Sequence, residues 1–130
     1  MNYYHSKKIA KKSIESFRAV VEEELKKEGF GVLTEIDIQA TMKKKLDKDY
    51  LPHLILGACN PVYADKVLSV EPGISTMLPC NVTLRQLESG EIEVSIINPL
   101  AAMGAVGNPE LEKFAAEVND KLMNVLKNLD

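Results

Sequence analysis

The stretch "MLPCNVTLRQLESGEIEVSIIN", residues 77–98, decides the fold. Its first half alternates: Leu78, Cys80, Val82 and Leu84 share one face, while Asn81, Thr83 and Arg85 share the other. Ile92, Val94 and Ile96 alternate in the same way in its second half. A period of two marks strands with one buried face. Ser89-Gly90 between them supplies the tight turn of an antiparallel hairpin. This hairpin is the seed of a sheet, and the rest of the chain is read outward from it.

Upstream, "HLILGACNPVYADKVLSVEPG", residues 53–73, joins a strand to a helix. "HLILGAC" is apolar on both alternating faces, as expected of a central strand covered above and below. Asn60 followed by Pro61 reads as an N-cap with proline at the first helical position. The helix should then stop at Pro72-Gly73. Before it, "GVLTEIDI" alternates so that Val32, Thr34, Ile36 and Ile38 face one way and Leu33, Glu35 and Asp37 the other. That pattern predicts a half-buried strand with an acidic outer face. "QATMKKKLDKDY" reads as a short exposed helix whose run Lys43-Lys44-Lys45 is a solvated face.

In "SIESFRAVVEEELKKEGFG", Ile14, Phe17, Val20, Val21 and Leu25 recur at helical spacing, with Ser13 as N-cap and Gly29 or Gly31 as the stop. "NYYHSKKI" is read as a first strand from its tyrosines. Downstream, "PLAAMGAVGNP" is small-residued and is read as irregular, ending in the cap-and-proline signal Asn108-Pro109. The last helix carries Leu111, Phe114, Ala115, Val118, Leu122, Val125, Leu126 and Leu129 as an apolar stripe that should cover the sheet. The expectation is one α+β domain over residues 1–130, with a mixed sheet of about five strands packed against helices.

Composition narrows the function. The 130 residues carry a net charge of −3 and 5 % aromatics without Trp, so nucleic-acid binding is disfavoured. No apolar run reaches the roughly 18 residues a membrane span needs. The N-terminus lacks a signal peptide's apolar core, which makes the cytoplasm the expected compartment. Thiols there are usually reduced, and two cysteines are too few for a disulfide scaffold.

The chemistry candidates are few. Cys80 sits in register with buried positions and reads as a small hydrophobe. Cys59 ends a strand at a helix start, where free N–H groups favour a thiolate, so it is the one candidate catalytic residue, with Cys80 as a possible resolving thiol. The same Cys59-Asn60-Pro61 corner reads alternatively as an anion-facing site, although Pro61 removes one donor. His53 lies six residues from Cys59, roughly 20 Å along a strand, and no zinc spacing occurs, so no metal or other cofactor is expected. Glu35 and Asp37 share a strand face, as paired carboxylates or simply as solvated ones.

Taken in order, "EGFGVLTEIDIQATMKKKL", "ILGACNP" and "LPCNVTL", closed by a capped helix, resemble the domain of unknown function 302 family over essentially the whole chain. The resemblance implies a compact α+β domain, commonly a homodimer, with no established activity. It also implies a site region at Gly29-Phe30-Gly31, Glu35, Cys59, Asn60, Pro61, Pro79, Cys80 and Asn81. The function expected is a homodimeric module that binds a small ligand or protein partner, with a thiol enzyme or redox sensor at Cys59 as the alternative.

Overall fold

The hairpin forms at the centre of the molecule, with β-strands at Cys80–Gln86 and Ile92–Ile97 joined by a turn in which the Gly90 N–H donates to the Leu87 carbonyl at 2.8 Å. The computed structural model describes residues 2–130. In chain order the elements are β1 (Tyr4–Ile9), α1 (Ile14–Lys27), β2 (Gly31–Asp37), α2 (Ile38–Leu46), β3 (His53–Cys59) and α3 (Pro61–Val70). A 3-10 helix (Pro72–Met77), β4 (Cys80–Gln86), β5 (Ile92–Ile97), α4 (Pro99–Gly104) and α5 (Pro109–Lys127) complete the chain. No helix among the described residues is long and apolar enough to cross a membrane.

The five strands form one sheet in the order β1-β5-β4-β3-β2. Every neighbouring pair is antiparallel, so the expected mixed sheet is corrected. The reason lies in the two helical connections beside β3. Asp37 pairs with Leu54, and Ala58 pairs with Cys80. Each connection thus leaves and re-joins the sheet at the same end. α2, and α3 with the 3-10 helix, are excursions out and back rather than crossovers. A helix between two strands gives a parallel pair only when it carries the chain back along the sheet.

One face of the sheet is covered. Leu56, Ala58, Cys80, Val82, Leu84, Ile92, Val94 and Ile96 are no more than 8 % exposed, and they pack against Phe17, Val21 and Leu25 of α1 and Val118, Leu122 and Val125 of α5. Burying each such side chain is worth about 1.5–3 kcal/mol relative to leaving it in water, which makes this layer the main source of stability. The opposite face is mostly polar, with Thr83 opposite Ser95 and Arg85 opposite Glu93 across β4 and β5, and Asn81 on the same face of β4 beside Gly57 of β3. A second, smaller core joins Val67, Ile74, Met103, Leu111 and Ala115 from α3, the 3-10 helix, α4 and α5.

α1 ends as its glycine signal requires. Gly29 has φ +86°, its N–H donates to the Lys26 carbonyl at 3.0 Å, and the Phe30 N–H donates to the Leu25 carbonyl at 2.9 Å. This pairing consumes two of the helix's orphan carbonyls and turns Phe30 into the core. The segment read as irregular instead contains α4, whose Asn98 side chain accepts from the Leu100 and Ala101 N–H groups. Asn98-Pro99 repeats the helix-start signal of Asn60-Pro61 and Asn108-Pro109.

Candidate functional site

Cys59 is the last residue of β3 and Asn60 turns the chain into α3. The Asn60 side chain is buried and does two things. Its Oδ1 accepts from the Tyr63 N–H at 3.4 Å, capping α3, and its Nδ2 donates to the Glu28 carbonyl at 3.2 Å. A Cβ on Gly29 would stand 3.0 Å from that same Nδ2, so the glycine leaves room for the bridge. The "EGFG" turn and the "ACNP" corner are thereby one unit. The cap also uses a donor that an anion at the α3 N-terminus would need, and Pro61, exposed at the first helical position, has none.

Cys80 lies across from Ala58 on β4, on the covered face. Burial, with the neighbouring Cys59 thiol as a lesser cause, pushes its pKa up to about 11. Such a thiol stays protonated near neutral pH and is a poor nucleophile. Both cysteines are free, Cys59 half-buried and Cys80 buried. They line one pocket with Phe30, Tyr63, Met103 and Val118, at the seam between the two cores. Its volume is about 30 Å³, room for roughly two waters. Beside Tyr63, Lys66 Nζ lies 5.0 Å from the ring centroid and Lys121 Nζ 6.0 Å from it, both within cation–π range.

The other sequence-derived candidates lie elsewhere. Glu35 is on the helix-covered side of β2, where its Oε1 accepts from Arg18 Nε at 2.6 Å; Arg18 also reaches Glu22 at 3.0 Å. The hydrogen bond to Glu35 is the main reason the Arg18 pKa is raised. Glu35 borders a separate hollow of about 190 Å³ with Asp37, Gln39 and His53. Asn81 pairs with Gly57 on the open face and borders a shallow trough of about 320 Å³ with Thr83, Arg85, Glu93 and Ser95. His53 stands beside that trough, its pKa lowered first by burial and then by Arg85. The structure therefore gathers Cys59, Asn60 and Cys80, and separates them from Glu35 and Asn81.

Met103 and Tyr63 are among the pocket residues, with Ala64, Val67 and Leu78, that the sequence does not mark as site positions. The Asn98-Pro99 signal places Met103 on a helix, and Tyr63 accompanies Asn60 as the residue it caps. Among the described residues, no three His, Cys, Asp or Glu side chains come together in a way that could hold a metal ion.

The sequence profile of the family described as "Domain of unknown function DUF302" matches residues 5–129. The chain is also similar to a solved structure described as uncharacterized conserved protein DUF302 from Bacillus stearothermophilus. That likeness has 26 % identity, complete coverage of both chains and a TM-score of 0.91. No curated protein matches the chain.

Proposed function

The chain belongs to the DUF302 family, and we propose that it is a binding module that holds a small ligand in the pocket between β3, β4, α3 and α5. The observation that carries this reading is the convergence of the "ACNP" and "LPCN" segments on one apolar hollow. Protein interiors close such gaps when nothing opposes it. At about 24 cal/mol per Å³ the hollow costs about 0.7 kcal/mol, a penalty that occupancy removes. Its walls can yield, because Met103 is unbranched and flexible. Redox sensing by Cys59 with Cys80 takes second place, since the buried Cys80 thiol, pushed up to about 11, gives little thiolate for exchange. We place the module in the cytoplasm as a homodimer, to be checked by light scattering at two chains per particle.

The test fills the pocket from α3. Ala64 lines it, and Ala64→Leu places a branched side chain into the gap. A thermal-shift screen of small metabolites and ions on the wild type is repeated on this variant, with circular dichroism to verify the fold. Ligands that raise the wild-type Tm and leave folded Ala64→Leu unmoved support the reading. Ligands that stabilise both chains equally, or none at all across the screen, overturn it.

A further inference from the structure

Resting on the homodimer reading, we propose that the two copies pack through the uncovered face of the sheet, with Thr83 of β4 against the partner's Thr83. α1 and α5 take the other face. On the uncovered one, the strand register sorts the side chains into three rows. Ser6, Ser95, Thr83, Ile55 and Ile36 form an unbroken row across all five strands. To one side lie Tyr4 and Ile97, then Asn81, Gly57 and Thr34. To the other side lie Lys8, Glu93, Arg85 and His53. Neither of the first two rows holds a charged residue, although 27 % of the chain is charged. The core of a protein interface is depleted in charge, and its rim is polar. Tyr4 and Ile36 stand 39 % and 47 % exposed on this face, apolar surface that a single chain leaves in water.

Size and charge both fit a second copy. Five strands at about 4.8 Å spacing span about 24 Å, and six residues at about 3.3 Å span about 20 Å. Two such faces bury about 1,000 Å², the area at which an interface becomes specific. A flat, twisted sheet packs best on another of the same twist, about 10 Å away, and a second copy supplies one by construction. Self-docking sets the same patch against itself, so it fails where that patch carries unpaired charge. Here the charged row is largely self-neutralised: Arg85 Nη2 holds Glu93 Oε1 at 2.7 Å, and Lys8 stands on the edge strand β1. Thr83 lies in the middle row of β4, the middle strand, so a two-fold axis that buries the whole face passes beside it.

The experiment is light scattering after gel filtration of the full chain over a range of concentrations, with circular dichroism to verify each fold. Wild type should run as two chains. Thr83→Lys and Thr83→Glu should each run as one, their association weakened by more than about 100-fold, because like charges meet at the centre of the interface. An equal mixture of the two should regain particles of two chains, a recovery that mere damage to the sheet would not allow. Asn81→Lys, exposed on the same face, should also separate the copies and reads out the face if a Thr83 variant fails to fold. Ala19→Lys adds the same charge on the exposed side of α1 and should leave the dimer intact. A dimer that persists in the folded face variants, one that Ala19→Lys breaks as readily, or a mixture no larger than its parts overturns the assigned face and leaves the homodimer standing. Wild type running as one chain overturns both.

Discussion

Asn60→Ala tests the corner that organises the site. The substitution removes a cap bond and a bridge at once. The cap bond to the Tyr63 N–H is long at 3.4 Å, so it belongs at the low end of N-cap values, about 0.5 kcal/mol. The bridge is the better bond, and its loss leaves the Glu28 carbonyl unpaired beside α3, which costs about 1 kcal/mol or somewhat more. With the small void left by the amide the total is about 2 kcal/mol. Against a total stability of about 5–15 kcal/mol this is a large fraction. With a urea slope of about 1.5–2 kcal/mol/M, the midpoint should fall by about 1 M with an unchanged slope. Asn60→Asp separates the two bonds: it restores the acceptor for Tyr63 and sets a second oxygen against the Glu28 carbonyl. It should recover the cap and nothing more. Gly29→Ala completes the cycle. In the wild type it carries both the strain of φ +86° and a Cβ 3.0 Å from Asn60 Nδ2; in Asn60→Ala only the strain remains. A loss below 0.5 kcal/mol in Asn60→Ala, where about 2 is expected, or full recovery in Asn60→Asp, would refute the account.

Two further outcomes follow from the sheet. The folded-state pKa of His53 is depressed below 6.5, so protons favour the unfolded chain between the two values; stability should fall as pH drops through 6.5 and level off below the depressed value. Subtracting the urea-derived pH profile of His53→Asn from that of the wild type should isolate this slope, and parallel profiles would show that His53 is not the group responsible. Gly57→Ala should cost about 1–3 kcal/mol, because its Cβ would stand 2.6 Å from Pro79 Cγ and closer still to Thr34 Oγ1. Thr34→Ala in that background should restore part of the loss in the same melts, and a neutral Gly57→Ala would remove the steric argument.

Most of the fold is legible because its signals are local. Ser13, Asn60 and Asn108 cap helices as their positions predict, and Gly29 stops α1 through its left-handed backbone. The hairpin turns at Ser89-Gly90, and the stripe of α5 packs on the sheet. What escapes is non-local. Whether α2 and α3 return the chain to the same end of the sheet depends on pairings such as Asp37 with Leu54, which no short window encodes. Small residues hid α4, because Ala and Gly carry no amphipathic stripe, and only Asn98-Pro99 announced it.

The site was half legible for a reason that one residue explains. Strict alternation sets Val32 and Thr34 on the same face of β2. In the structure the register slips between them: Val32 pairs with Ala58, yet Thr34 pairs with Gly57, its direct neighbour. Leu33 is the extra residue of a β-bulge on this edge strand, 67 % exposed. From there every side chain changes face. Val32 packs against the core, Thr34 stands over Gly57 on the open face, and Glu35 swings to the helix side. The expected acidic outer face therefore dissolves: Glu35 pairs with Arg18, and Asp37 caps α2 through the Ala40 N–H at 2.9 Å. A one-residue slip inverts a strand, because the side-chain period is two. Between β3 and β4 the register does not slip: Ala58 pairs with Cys80 on the covered face, so Cys59, one residue further on, turns toward the Gly57 face, and the two cysteines border the pocket from adjoining strand positions rather than as a facing pair. The pocket's chemistry is accordingly that of sulfur and apolar surface, and the carboxylate belongs to the scaffold.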